Sequence, residues 1–173
     1  MNGILKAFVP MILFAGVSFA ADQTVEYKQV GDIPTGIDFP VSIGADVADL
    51  DKDGSLEAVV GVPEGLKVLH GKPGHYEGRW LFKTNYQFFS IKAAVALGDI
   101  DNDKDIDIAY ALPEGVRLFE NDGAGRFNDL GWVIRSKENT SATGIDVKMT
   151  DIDYDGKPEI VYSNSGAIRI YTR

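Results

Sequence analysis

Apolar and polar residues alternate along three segments that recur about 50 residues apart. A period of two places successive side chains on opposite faces of an extended strand, so each segment predicts a strand with one buried face. The apolar positions are Ile43, Ala45 and Val47, then Ala93, Val95 and Leu97, and then Ile145, Val147 and Met149.

Further strands are predicted after each of these segments. Runs rich in Val, Ile and Tyr favour a second strand, and turn residues such as Pro and Gly then lead into a third strand. A fourth strand is predicted in the first two repeats only. The second strands are 56–61, 106–111 and 159–162, the third strands are 66–69, 116–119 and 167–171, and the fourth strands are 79–82 and 131–134.

This strand order predicts an all-β fold of about three four-stranded repeats, of the β-propeller type. We expect the N-terminal strand, residues 24–30, to complete the last blade and so remove an exposed edge. Two arrangements are open: a three-bladed monomer, or a homodimer of six blades in which each N-terminal strand completes the partner's third blade.

A short acidic loop separates the first and second strands of each repeat. Carboxylates at loop positions 1, 3 and 5, a backbone carbonyl at 7 and an acid at 9 direct several hard oxygens to one centre, as Ca²⁺ prefers. No helical pattern follows position 9, which argues against an EF-hand or a dockerin. The loops are Asp49-Leu-Asp-Lys-Asp53-Gly, Asp99-Ile-Asp-Asn-Asp103-Lys and Asp151-Ile-Asp-Tyr-Asp155-Gly, and position 9 is Glu57, Asp107 or Glu159.

Composition supports metal binding and excludes several other chemistries. The chain of 173 residues has a net charge of −9, which argues against nucleic acid as a partner. Thirteen of its 26 acidic residues lie in the three loops, so half of the acidity belongs to the predicted sites. It has no cysteine, and therefore no disulfide, thiolate metal site or cysteine nucleophile. His70 and His75 are interpreted as surface residues, and we expect no catalytic residues and no enzyme activity.

The N-terminus has the pattern of an export signal. A charge at Lys6 precedes an apolar run over residues 7–17, and Ser18-Phe19-Ala20 fits a cleavage site. A membrane anchor is the weaker alternative, because the run is short for a spanning helix and contains Pro10. We therefore predict a signal peptide at 1–20, no membrane span after its removal, and a secreted, periplasmic or cell-surface protein.

The loops, strands and spacing together resemble FG-GAP and VCBS repeats, the calcium-binding blades of integrin alpha-subunit heads and of many exported bacterial proteins. The likeness defines one domain at 21–173, with repeats at about 41–90, 91–142 and 143–173 plus 24–30. The matching segments are Ala48–Gly54 with Glu57–Val60, Gly98–Asp103 with Asp107–Ala109, and Thr150–Gly156 with Glu159–Val161.

The resemblance implies that each loop binds calcium through the side chains at positions 1, 3, 5 and 9 and the carbonyl at position 7. The implied ligands are Asp49, Asp51, Asp53, Ser55 and Glu57; Asp99, Asp101, Asp103, Asp105 and Asp107; and Asp151, Asp153, Asp155, Lys157 and Glu159. At position 6 the second loop has Lys104, whereas the others have glycine. This position lies in a sharp turn that usually needs a positive φ, which glycine adopts freely. We expect the second site to be the weakest, because Lys104 adds a cation and about 1 kcal/mol of backbone strain.

These observations predict a binding module rather than an enzyme, with calcium in a structural role. We expect adhesion or recognition of a glycan or a protein. An accessory or degenerate part of a surface hydrolase or lyase system is one alternative, and a structural spacer is another. Trp80 and Trp132 could stack on sugar rings, but their corresponding places in the fourth strands favour a packing role.

Overall fold

The computed structural model describes residues 5–7, 25–27, 44–62, 64–72, 75–84, 92–136, 144–164 and 167–173. Every regular element within these residues is a β-strand, which confirms the prediction of an all-β fold. In this part of the chain no helix is long and apolar enough to cross a membrane.

Three sheets follow one another along the chain, and in each sheet every strand pairs antiparallel with the next. A separate pair of short strands lies near the N-terminus, β1 (Leu5–Ala7) with β2 (Val25–Tyr27). The first sheet contains β3 (Gly44–Ala48), β4 (Glu57–Val62), β5 (Gly65–Lys72) and β6 (His75–Lys83). The second contains β7 (Ala94–Gly98), β8 (Asp107–Leu112), β9 (Gly115–Asn121) and β10 (Phe127–Arg135). The third contains β11 (Ile145–Thr150), β12 (Glu159–Asn164) and β13 (Ala167–Tyr171).

Neighbouring sheets pack face to face. The first strand of the second sheet, β7, contacts both β3 and β11. An apolar interface joins the first and second sheets through residues such as Val59, Val68 and Ile108. A second apolar interface joins the second and third sheets, where Leu118 packs in the same cluster as Val147. Because the second sheet has a neighbour on each face, every residue of β8 is buried.

A tyrosine ties each pair of neighbouring sheets together by a hydrogen bond. The hydroxyl of Tyr110 in β8 donates to the carbonyl of Val62 at the end of β4. One repeat later, the hydroxyl of Tyr162 in β12 donates to the carbonyl of Leu112 over 2.9 Å. The phenol group thus remains hydrogen-bonded within the apolar interface, and the repeats are stacked in the same way.

The prediction of a buried face on every first strand is correct for β7 and β11 but wrong for β3. Val147 in β11 is fully buried, whereas Val47 in β3 is 56% exposed and Ala45 is also exposed. Val47 pairs with Ala58 on the face of the first sheet that points away from the second sheet. No preceding sheet covers this strand among the described residues, so its apolar side chains remain in solvent.

The predicted position of the N-terminal strand is also wrong for the described part of that segment. Val25–Tyr27 pairs with Leu5–Ala7, inside the predicted signal peptide, instead of completing the sheet of β13. Among the described residues, the third sheet therefore has three strands. Closing a loop of about 20 residues costs less chain entropy than closing one of about 140, which favours the nearer partner as long as the leader is attached.

Candidate metal centre

The three acidic loops have the same backbone conformation. Each loop uses a left-handed residue at positions 4 and 6, and the pairs are Lys52 with Gly54, Asn102 with Lys104, and Tyr154 with Gly156. Lys104 adopts φ 73°, close to the 87° and 88° of the two glycines. The expectation of a positive φ at this position is thus confirmed. This left-handed conformation strains the backbone of Lys104, whereas glycine adopts it without strain.

One hydrogen-bond pattern holds all three loops in shape. The position 1 carboxylate accepts the N–H groups of positions 5 and 6, as Asp49 does from Asp53 at 3.1 Å and from Gly54 at 3.0 Å. The position 5 carboxylate accepts the N–H of position 7, and the position 9 acid accepts the N–H of position 2. The same set recurs in the second and third loops. Each loop is therefore ordered by its own carboxylates.

The carboxylates of each loop also converge on a common point. In every loop at least three carboxylates each offer an oxygen, and these oxygens lie within 4.8 Å of one another. Two oxygens bound to one calcium ion at 2.3–2.6 Å can be at most about 5 Å apart, so this spacing fits a calcium shell. The clusters are Asp49, Asp51 and Asp53; Asp99, Asp101 and Asp107; and Asp151, Asp153 and Glu159.

The predicted ligands at positions 5, 7 and 9 are placed less uniformly. Asp53 belongs to the cluster of Asp49 and Asp51 and Glu57 does not, whereas Asp107 and Glu159 belong to the clusters of their own loops and Asp103 and Asp155 do not. Each of these two accepts an N–H bond of 2.8 Å from position 7. Coordination by the carbonyls of Ser55, Asp105 and Lys157 stays a prediction.

The position 9 acids are buried at the base of the loops. Glu57, Asp107 and Glu159 are 2%, 1% and 5% exposed, although each begins the second strand of its sheet. Burial and, to a smaller extent, the nearby carboxylates of the loop raise the pKa of Asp107 to about 6, although N–H bonds from Asn121 and Ile100 act in the opposite direction. A buried carboxylate beside other carboxylates is electrostatically unfavourable without a cation, and a divalent ion would stabilise its ionised form.

Comparison with protein families agrees with this geometry. Residues 99–162 match the family model of the FG-GAP-like repeat. The match includes the second and third acidic loops and confirms the resemblance over this part of the chain. The first loop lies outside the matched residues but has the same turn and the same hydrogen bonds. No protein with curated annotation is significantly similar to the chain in sequence.

The second loop, where the FG-GAP-like match begins, is approached by cations from both neighbouring repeats. Lys52 of the first loop forms an ion pair with Asp105, and this hydrogen bond and the loop's negative charge raise the pKa of Lys52. Arg173, which follows β13, lies 3.0 Å from Glu120 and 3.9 Å from Asp101. Sequence reasoning identified Lys104 as a local cation but missed Lys52 and Arg173, because they come from other repeats.

The first loop is approached by a histidine that the sequence did not indicate as a ligand. His70 forms a cluster with Asp51 and Glu57 in which the three ligand atoms lie within 4.8 Å of one another. Its Nδ1 is 3.6 Å from Oε1 of Glu57. The repeat spacing could have indicated that His70 lies near the first loop. His70 is 50 positions before Glu120, and Glu120 lies beside Asp101 of the second loop.

Proposed function

We propose that this chain is an exported, non-catalytic module in which calcium stabilises three blades, and that the outer face of the third sheet binds a protein. The observation that carries the calcium part is the triple recurrence of one loop conformation with at least three converging carboxylates. The FG-GAP-like match over residues 99–162 supports the same assignment. Export rests on the N-terminal pattern of the sequence.

The proposed structural role of calcium is supported by where each loop is anchored. Position 1 follows the first strand of a sheet and position 9 begins the second strand, as Asp99 and Asp107 do around β7 and β8. An ion held by both ends would link the two strands and would bind only the folded chain, which raises the free energy of unfolding. Without the ion, the converging carboxylates repel one another.

Thermal unfolding of the full chain with and without calcium tests this proposal. Each site that calcium fills at 100 times its dissociation constant adds about 2.7 kcal/mol to the free energy of unfolding. Since 1 kcal/mol corresponds to about 2–4 °C for a domain of this size, chelation should lower Tm by more than about 10 °C. Excess calcium should restore the original Tm. An unchanged melting temperature would refute structural calcium.

The binding part of the proposal rests on the outer face of the third sheet. Ile168 and Ile170 are 75% and 57% exposed there, and they pair across the strands with Ser163 and Val161. The equivalent positions of the second sheet include Val116 and Leu118, which are buried in the next interface. The third sheet thus presents to solvent the surface that its predecessors use for packing, as expected of a site for a partner.

The surroundings of the two tryptophans favour a protein over a glycan as the partner. Trp80 is 36% exposed, and the Nζ atoms of Lys67 and Lys83 lie 5.5 and 5.2 Å from its ring centre. Arg117 and Arg135 lie 5.9 and 5.7 Å from the ring of Trp132. These cations contact the rings that a sugar would need for stacking.

The first partner to test is a second copy of the chain, which would form a homodimer through the outer face of the third sheet. Light scattering on a sizing column in millimolar calcium measures the solution mass of the full chain. A dimer that becomes a monomer in Ile170→Lys, but not in the control Val133→Lys, would support a homodimer. Val133 is exposed on β10, which belongs to the second sheet. A monomeric wild type would exclude the second copy and leave a different protein as the partner.

A further inference from the structure

The first repeat differs from the second in the residue that the third strand brings beside the acidic loop. His70 is the sixth residue of β5, and Glu120 is the sixth residue of β9. The carboxylate of Glu120 lies 3.0 Å from Arg173, whereas the imidazole of His70 lies within the cluster of Asp51 and Glu57. The first loop therefore has a nitrogen ligand available where the second has a neutralised carboxylate.

The buried carboxylate of Glu57 has one oxygen to which no described residue donates a hydrogen bond. Its Oε2 accepts the N–H of Leu50 at 2.9 Å. In the second repeat the other oxygen of the equivalent Asp107 accepts the N–H of Asn121 at 2.8 Å. Among the described residues none donates a hydrogen bond to Oε1 of Glu57, which faces His70 at 3.6 Å. Glu57 as a whole is 2% exposed, so bulk water can give its carboxylate few hydrogen bonds, and a metal bound at Oε1 would supply a partner.

The distance between these two groups fits a tetrahedral metal. Ligand atoms about 2.1 Å from one tetrahedral ion are separated by about 3.4 Å, close to the 3.6 Å between Nδ1 and Oε1. Imidazole nitrogen is a good ligand for Zn²⁺ and related first-row ions, whereas Ca²⁺ takes oxygen. Zinc sites that keep a fourth position open bind the ion through three protein ligands, and His, Asp and Glu side chains are all zinc ligands, so this cluster supplies three donors of a suitable kind.

An open cleft adjoins this cluster. It has a volume of about 380 Å³ and lies between the first sheet and the turn after β9, with Asp51 and His70 on one wall and Gly125 on the other. A metal bound by the cluster would thus have room on its cleft side for water or an exogenous ligand.

We propose that Asp51, Glu57 and His70 form a site for a divalent transition metal, of the class of Zn²⁺, with its open coordination position toward the cleft. This site is separate in chemistry from the calcium sites of the proposed function and does not require them. It shares Asp51 and Glu57 with the first calcium loop. Zn²⁺ and Ca²⁺ should therefore compete for the first loop only.

Zn²⁺ titration of the metal-stripped full chain, followed by calorimetry, tests the proposal. Wild type should bind one Zn²⁺ tightly, and His70→Ala should weaken that binding at least about tenfold, because even outer-shell partners of a metal contribute that much. The matched control is His75→Ala, since His75 lies at the start of β6 outside the cluster. It should change the affinity by less than about twofold. Equal affinities in wild type and His70→Ala would overturn the proposal.

A second measurement separates this inference from the calcium proposal and from misfolding. Calcium stabilisation of His70→Ala should remain close to that of wild type, because the second and third loops do not involve His70. If calcium fails to stabilise any variant while zinc still depends on His70, the proposed function fails and this inference stands. If calcium stabilises all variants but zinc binding is absent or independent of His70, the inference fails alone. Co²⁺ should give a visible absorption band in His75→Ala and not in His70→Ala.

Discussion

The second and third acidic loops have the same backbone turn, acids at positions 1, 3, 5 and 9, and the same internal hydrogen bonds, yet position 7 and the surroundings differ. The second loop carries Lys104 at the strained position 6, is paired with Lys52 of the first loop, and has Arg173 near Asp101. The third loop has glycine at position 6, and no described residue forms an ion pair with its acids. Its Tyr154 is 91% exposed.

This contrast separates two properties of the acidic loop, its coordination geometry and its affinity for calcium. The coordination geometry is local, because nine consecutive residues supply both the carboxylates and the hydrogen bonds that orient them. The affinity depends on charges that other repeats bring to the loop. A cation held near the carboxylates competes with a divalent ion for the same negative potential. We therefore expect the second loop to be the weaker site for reasons beyond Lys104.

The largest expected difference between the two loops is in what calcium contributes to stability. Asp151→Asn should lower the free energy of unfolding by about 2–3 kcal/mol at saturating calcium, because it removes a ligand from a strong site. Asp99→Asn at the same loop position should cost clearly less, because a weaker site contributes less at the same calcium concentration. Chemical denaturation of both variants at fixed calcium measures the two losses.

The same pair of variants in a chelator provides the control. Without metal, removal of one charge relieves repulsion among the remaining carboxylates, so both variants should then be nearly as stable as wild type or more stable. Equal losses from Asp151→Asn and Asp99→Asn in calcium, or a larger loss from Asp99→Asn, would contradict the ranking of the sites.

The fold and the ligand positions could be predicted because they depend on short stretches of sequence. Alternation predicted the strands, the loop spacing predicted the converging carboxylates, and the glycine pattern predicted the left-handed turn that Lys104 adopts. Three features could not be predicted from short stretches of sequence. They are the solvent exposure of β3, the strand with which β2 pairs, and the position of His70 beside the first loop. The first two depend on what lies beside a strand, which its own alternation does not encode.

The side chains around each loop were missed because they arrive across sheet interfaces or along a third strand. Lys52 reaches Asp105 over 53 residues of sequence, and Arg173 approaches Asp101 from the end of β13. Only the stacking of sheets brings them together. Aligning the repeats at spacings of 50 and 52 residues would have placed His70, Glu120 and Thr172 at one position and indicated that this position varies.

A smaller effect is expected from removing the strain in the second loop. Lys104→Gly should raise the free energy of unfolding by up to about 1 kcal/mol in the absence of metal, because a left-handed conformation costs lysine about that much. It should also raise the calcium affinity of the second loop toward that of the third. Denaturation in a chelator and calcium titration measure the two effects separately.

Lys104→Asn distinguishes the strain of Lys104 from its charge. Asparagine tolerates the left-handed conformation better than lysine but also removes the cation, so it should reproduce the gain in affinity with a smaller gain in stability than glycine. If Lys104→Gly leaves both quantities unchanged, neither strain nor local charge at position 6 accounts for the difference between the loops.

The smallest expected effect comes from removing Lys52, the cation of the first loop that pairs with Asp105 of the second loop. Lys52→Gln removes the partner of Asp105 and should raise the calcium affinity of the second loop by about twofold to fivefold at low salt, as expected for an exposed charge pair. The gain should disappear at about 0.5 M salt, where such charges are screened. Lys148→Gln, an exposed cation on β11, is the matched control and should leave the second loop unchanged. If Lys52→Gln has no effect at low salt, the neighbouring repeat does not tune this site, and the weakness of the second loop must come from Lys104 and Arg173 alone.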